Sequence, residues 1–461
     1  MKKNLSIVIL LISLAISQSV FSQTYSFEKG KVPEGWKIDK GVLHISSEKY
    51  KSGSRSLQIK WKQNAVLTIP SPTGISEACR NRNGGMNAWI YNESPTKENL
   101  LFSFRDETGK EVCQLPFLLD FKGWRCIWAK FQGDMNMSSK SNIQSVEIQF
   151  PQHTKKGVTY IDLLEFTSKV SWQNMSDAQY KVNRTDYSLI PDFIGYRNAT
   201  PKVEKVITAE DNQITTITNR LTTWYLGSGQ HSSERWIKMR TENEKTFIRN
   251  GVKAAQKIKI QYTEDHTPQG EPLFPMGAPT IIDGQEAKKF RSINENILLP
   301  LALDYRKNQN DQSLKKALYI YDWFNDQGWA DGSSMGTLCF EKLRSSGYFH
   351  SFFLLKEQLS PEQLKRELQT MNWFTMFGAC YQLPSHAGEV ADNLRALAIP
   401  KLIYALSQND KQEREVALTA FKHYMDNALG IAPGFFGTFK ADFSGYHHRG
   451  SYHSAYYPHA L

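Results

Sequence analysis

The amino-acid sequence predicts a multidomain β + α protein, an antiparallel β-sandwich followed by helical hairpins stacked around an axis. Three observations lead there. Apolar residues alternate with polar ones from residue 23 to about 168, and they recur every three or four positions from about 203 onward. The chain also has 461 residues, of which 40% are hydrophobic and 22% charged, enough for two to four domains that each bury a core. Disordered and fibrous chains are excluded by the same composition.

At the N-terminus, Lys2 and Lys3 precede the apolar run 5–16, and small polar residues lead on to Val20-Phe21-Ser22. This is the pattern of a secretory signal peptide over 1–22, cleaved after Ser22, so a periplasmic or secreted location is expected. The formal charge of +10 then becomes +8, with 54 basic against 46 acidic residues. Many soluble proteins are mildly basic with no partner behind it; read functionally, the charge points to a polyanion, and since an exported protein meets acidic polysaccharide more often than nucleic acid, acidic polysaccharide is the expected partner. No later apolar run reaches the ~18 residues that a membrane span needs. A monomer is expected. The five cysteines are few and odd in number, with no metal-type spacing, so disulfides are not the basis of the fold. A Cys113–Cys126 pair is left open against a default of buried free thiols.

The sandwich, 23–168, is read from four alternating sets: Leu43 and Ile45; Leu57, Ile59 and Trp61; Trp124, Cys126 and Trp128; Val146, Ile148 and Phe150. Turn residues separate them at Lys51-Ser52-Gly53-Ser54, Asn83-Gly84-Gly85, Glu107-Thr108-Gly109-Lys110 and Lys156-Gly157. The polar stretch 169–202, with Pro191 and Pro201, reads as a linker. Helices are predicted over 203–226, 232–262, 286–308, 312–327, 346–359, 361–377, 392–408 and 411–429, with Pro300 and Pro400 expected to kink or break two of them. The helical region as a whole is 203–461.

The last stretch concentrates chemistry. From Tyr446 to His459, four of the chain's eleven histidines and four tyrosines fall within fourteen residues, after a Gly-rich loop. Three readings stand at this level: rings packed between helices, a metal site, or an imidazole–phenol pair for proton transfer beside a cation. Adjacent His447 and His448 converge poorly on one ion.

Several segments resemble the secreted bacterial chondroitin sulfate ABC lyases. They are Lys51-Ser52-Gly53-Ser54-Arg55-Ser56-Leu57, Ala88-Trp89-Ile90-Tyr91-Asn92-Glu93, Phe121-Lys122-Gly123-Trp124-Arg125 with Trp128, Asp326-Gln327-Gly328 with Gly332-Ser333, and the terminal His-His-Arg with its tyrosines. The resemblance implies an N-terminal jelly-roll sandwich and an incomplete α/α toroid. It also implies β-elimination at uronic acids in chondroitin- or hyaluronan-type glycosaminoglycans, with no catalytic cofactor. His448 matches the family's catalytic histidine and Tyr456 its tyrosine. One extra residue between them leaves Tyr452 and Tyr457 as rivals. His447, Arg449 and Tyr452 are expected to bind substrate. Where relatives that accept iduronate carry a His-His pair, Cys339-Phe340 stands here, so glucuronate chains are the expected substrate. The family's further arginine and glutamate follow the tyrosine, and the chain stops at Leu461. It is therefore read as the N-terminal half of a lyase, inactive alone.

Weaker candidates complete the set. Asn393 and Arg395 open a helix where an amide and a guanidinium can meet a carboxylate and a sulfate, unless Asp392 and Asn393 merely cap it. Trp373 is placed either against a sugar ring or in the core. His350, between Phe349 and Phe352, reads as a satisfied, half-buried histidine. Glu28 and Asp162 fall where similar jelly rolls bind a structural calcium ion. Two other classes stay open: an inverting glycoside hydrolase drawing on Glu341, Glu389, Asp392 or Asp442, and a noncatalytic polysaccharide binder.

Overall fold

In a computed structural model, the described residues are 24–171, 177–181, 190–202, 206–208, 210–227, 234–262, 267–275, 278, 281–282, 285–335, 341–434, 437–442, 444–447 and 451–452. They divide into two compact units, one holding most of the strands through Thr167 and the other holding the helices from Ile190 on.

The first unit is a sandwich of two five-stranded sheets. Its strands are β1 (Lys37–Ile38), β2 (Gly41–Ser46), β3 (Ser56–Lys62), β4 (Val66–Pro70), β5 (Gly85–Asn92), β6 (Asn99–Arg105), β7 (Glu111–Leu118), β8 (Gly123–Lys130), β9 (Ser145–Gln149) and β10 (Lys156–Thr167). One sheet runs β1-β4-β9-β6-β7 and the other β2-β3-β10-β5-β8. The four alternating sets lie on β2, β3, β8 and β9, and Leu57, Ile59, Val146 and Ile148 are buried between the sheets. On β8, however, it is Ile127 and Ala129, not the expected Trp124, Cys126 and Trp128, that join this core, because both faces of that strand are covered. Strand β5 shows no alternation because both of its faces are covered. Cys113 and Cys126 are buried thiols that form no disulfide with each other. Burial pushes the Cys79 thiol up to about 11 and that of Cys113 to about 12, so both stay protonated and unreactive.

The second unit contains α1 (Ile190–Arg197), α2 (Asp211–Leu226), α3 (Arg235–Ala255), α4 (Phe290–Ile293), α5 (Leu299–Asn308), α6 (Asp311–Asp326), α7 (Ser346–Leu355), α8 (Pro361–Thr375), α9 (Ala391–Leu406) and α10 (Lys411–Ala428). Two of these differ instructively from expectation. Helix α1 falls inside the predicted linker, because Pro191 occupies the first turn, where a missing N–H costs nothing. Pro300 likewise does not end its helix: a π-helical turn, Asn294–Leu298, joins α4 to α5, and Pro300 follows it in the first turn of α5. Pro400 lies inside α9, which continues to Leu406. The predicted helix 232–262 stops at Ala255, and Ile260–Tyr262 pairs instead with Pro268–Gly270. Among the described residues no helix is long and apolar enough to cross a membrane.

Candidate functional site

The approach to the terminal segment is built by a tight crossing. Gly388 and Gly437 both have positive φ, 98° and 66°. A Cβ on Gly388 would fall 2.5 Å from the Cβ of Ala432, and one on Gly437 would fall 2.6 Å from the same atom. Glycine is therefore required at both, for conformation and for room. Around this crossing Glu389 acts as a clamp. Its Oε1 accepts from Val390 N at 2.7 Å and Asn393 Nδ2 at 3.2 Å, and its Oε2 accepts from the Tyr424 hydroxyl at 3.0 Å. Its backbone carbonyl accepts from Thr438 Oγ1 at 2.7 Å. The N-terminus of α9 is thus tied to the segment that leads, through the Phe439–Gly445 bridge, to Tyr446 and His447.

There the chain forms a two-residue ladder, with Tyr446 opposite Tyr452 and His447 opposite Ser451. His448, Arg449, Tyr456 and Tyr457 lie outside the described residues, as do Cys339 and Phe340. For His447 and Tyr452 only the backbone is described.

Asn393 and Arg395 sit on the first turns of α9, yet neither Asp392 nor Asn393 caps it; the cap position belongs to Val390. The Asn393 amide is held at both ends, since Lys342 Nζ stands 3.4 Å from its Oδ1. Arg395 is exposed and pairs with Asp392 at 3.2 Å, a surface contact that an anionic ligand can displace. Trp373 is 2% exposed and donates its indole N–H to Ser333 O at 2.6 Å, which places the ring in the core and not at a sugar-facing surface.

The hydrolase candidates are occupied elsewhere. Glu389 clamps the crossing, Asp392 pairs with Arg395, Glu341 is fully buried, and Asp442 accepts from Ser444 N and Oγ within its own turn. His350 Nδ1 bonds the Tyr225 hydroxyl, and burial pushes the imidazole down to about 4, so it stays neutral at ordinary pH.

The expected calcium ligands have other partners. Strand β10 bulges after Asp162, with Leu163 at φ 50°. The bulge turns the buried Asp162 carboxylate onto a loop: Oδ2 accepts from Lys51 N at 2.7 Å and Ser52 N at 2.9 Å, and Oδ1 from Leu163 N at 2.7 Å. Glu28 Oε1 accepts from Ser54 N and Arg55 N, and its Oε2 from Ser54 Oγ. Both carboxylates face N–H and O–H donors, which repel a cation, so as folded the pair does not fit a calcium site. Asp162→Ala is expected to cost about 2–4 kcal/mol, because charge-assisted hydrogen bonds are lost and buried N–H groups are orphaned. Chelation should leave the wild-type melting temperature unchanged. A large fall in Tm on adding a chelator, with Asp162→Ala near wild type, would reverse both roles.

A buried acid escaped the sequence reading. Glu367, fully buried on α8, accepts from Tyr348 OH at 2.5 Å and Asn325 Nδ2 at 2.7 Å, with Arg366 Nε at 3.3 Å. Burial raises its carboxyl to about 7, against the pull of Arg366. Tyr321 and Tyr348 beside it are equally buried, so the network is structural despite its perturbed titration. Its sign is fixed by linkage. Between about 4.5 and 7 the folded state holds a proton that the unfolded state has lost, so this group's contribution declines as pH rises, by about 3 kcal/mol at most. Glu367→Gln is expected to flatten that part of the stability–pH curve, as read by denaturant titration. An unchanged slope would place the titration elsewhere.

Comparison with known proteins follows the same division. The family described as "Lyase, N terminal" matches residues 21–182, and the one described as "Lyase, catalytic" matches residues 200–459. The chondroitin sulfate ABC exolyase of Bacteroides thetaiotaomicron is 25% identical over 464 residues, covering 93% of this chain and 43% of the relative. The chondroitin sulfate ABC exolyase of Proteus vulgaris is 20% identical over 467 residues, covering 95% of this chain and 46% of the relative. The chain thus spans less than half the length of these curated relatives. Among solved structures, a family 11 carbohydrate-binding module of a Clostridium thermocellum cellulase covers 32% of this chain at 13% identity, with a TM-score of 0.23. That likeness is too slight to add to the sandwich described from its own strands.

Proposed function

Because the chain belongs to the family of lyases that includes the chondroitin sulfate ABC exolyases, we propose that it supplies the sandwich and helical catalytic modules of an exported glycosaminoglycan lyase. The observation behind this is the catalytic-family match over 200–459, which runs through the helical unit and takes in the His- and Tyr-rich terminal stretch. Chondroitin- or hyaluronan-type chains are the proposed substrates.

Elimination breaks the bond from C4 of the uronate to the glycosidic oxygen and forms a C4–C5 double bond. The C5 proton must leave, and the departing oxygen must gain one. In this reading Tyr456, as phenolate, takes the C5 proton and, as phenol, returns one to the leaving oxygen. His448 stands by the uronate carboxylate and C5, where a partner that neutralises the carboxylate makes the C5 proton more acidic. His447 and Arg449 add positive charge beside that carboxylate, and Tyr452 contributes to the sugar contacts. Asn393 donates a hydrogen bond and Arg395 meets a sulfate, with Glu389 and Lys342 orienting the amide. Trp373 is left out because its ring is buried. No step in this scheme calls on a metal or cofactor.

The experiment is product analysis with the natural polypeptide and chondroitin sulfate. A lyase yields an unsaturated uronate that absorbs in the ultraviolet. Saturated non-reducing ends without that absorbance would show a hydrolase, and binding without new ends would show a carbohydrate-binding protein.

A further inference from the structure

Helix α3 packs Ile248, Gly251 and Ala255 inward, and Gly251 lies so close to α5 that an added Cβ would stand 2.2 Å from the Cβ of Pro300. Beside this contact the two helices leave an open groove of about 510 Å³. Ile248 and Val252 line it from α3, while Lys245, Arg249 and Lys253 follow one another along α3 at four-residue spacing. That spacing sets successive cations about 6 Å apart on one face.

The acids nearby do not cancel this row. Asp304 is buried, and its carboxylate accepts from Asn308 Nδ2 and Asn310 Nδ2, each at 2.7 Å, and from Ser313 Oγ at 2.5 Å. Glu244 pairs with Lys307 across the groove. Lys245 meets Glu242 at 2.8 Å, but both side chains are about two-thirds exposed, at 67% and 69%, so the pair contributes little. Among the described residues no carboxylate pairs with Arg249 or Lys253. Like charges four apart on a helix repel, so the row costs helix stability unless an anion relieves it.

We infer that this groove is an accessory site for a strand of sulfated polysaccharide, separate in sequence from the catalytic segment. Sulfates run along Lys245, Arg249 and Lys253, and the apolar edges of the sugar rings lie on Ile248 and Val252. The ligand class rests on the proposed lyase function. The groove itself favours it over single-stranded nucleic acid, because its lining has cations and aliphatic carbons but no aromatic ring on which bases would stack. Such a site holds a long chain near the enzyme between cleavage events and takes no part in the chemistry.

The test uses the natural polypeptide on immobilised chondroitin sulfate over a salt series. The triple variant Lys245→Gln, Arg249→Gln, Lys253→Gln, on an exposed helix face where glutamine is well tolerated, is expected to bind at least about tenfold more weakly near 0.1 M salt. Its salt dependence should become shallower by about two to three counterions. The control, Lys60→Gln, Lys62→Gln, Lys155→Gln on the sandwich, removes equal charge and should stay within about twofold of wild type. Equal losses in both variants would overturn the inference, since bulk charge would then explain binding. Tighter binding of single-stranded RNA than of chondroitin sulfate at this groove would overturn it too. A protein that makes no unsaturated product but still loses chondroitin sulfate binding in the α3 variant would sink the lyase reading and leave the groove standing.

Discussion

Tyr456→Phe in the natural polypeptide is expected to lower turnover on chondroitin sulfate by at least ~10²-fold while leaving thermal stability near wild type. The substitution keeps the ring and its packing and deletes the one group that can exchange a proton. His448→Ala should have a comparable effect on turnover. The readouts separate chemistry from binding: a group acting on C5 in the transition state lowers kcat and kcat/KM together, whereas a group that merely holds the sugar raises KM. Because one extra residue lies between the histidine and the tyrosines, Tyr452→Phe and Tyr457→Phe are the controls. Full turnover in Tyr456→Phe with collapse in either control would move the proton carrier to that residue.

Purified dermatan sulfate is expected to be turned over about 10²-fold or more slowly than glucuronate-containing chondroitin sulfate. Changing the epimer at C5 moves the proton to the opposite face of the sugar, so a site serving both epimers needs a second base on that face. Phe340 has no group to accept a proton, and Cys339 does so poorly unless a neighbour lowers its pKa. Replacing the pair with His-His is the gain-of-function counterpart: some dermatan activity should appear while chondroitin activity stays within severalfold. Equal rates on the two polymers in the wild-type protein would show that another base serves the second face.

Strand alternation made the sandwich legible, because Leu57, Ile59 and Trp61 face one core while their neighbours do not. Strand β5 escaped that rule since both of its faces are covered. Helical stripes located most of the later elements, but proline misled twice. Pro191 sits in a first turn, where the absent N–H would have been unpaired in any case, and Pro300 follows a π-helical turn inside a helix that runs on from α4, so sequence shows the proline without showing its helical setting. Side-chain roles were less legible than elements. Trp373 has the same composition signal whether it meets a sugar or the core, and its bond to Ser333 O depends on a tertiary approach forty residues away in sequence. Asp162 suggested a metal, whereas a bulge one residue later turns it onto the amides of Lys51 and Ser52. Glu389 was less legible as an orienting group, since it precedes the cap residue Val390 and meets Asn393 from outside the helix, where helical spacing gives no guide. Glu367 gave no such signal, because its partners Tyr348 and Asn325 lie on other helices.

The central claim is that the glycosidic bond is broken by elimination. Its most direct measurement is digestion of chondroitin sulfate by the natural polypeptide in water enriched in heavy oxygen, with the products weighed by mass spectrometry. Elimination adds no water, so the predicted result is unsaturated oligosaccharides whose new ends carry no heavy oxygen at short times, before the reducing end exchanges with solvent. One heavy oxygen fixed at each cleavage from the first time point, in saturated products, would contradict the account.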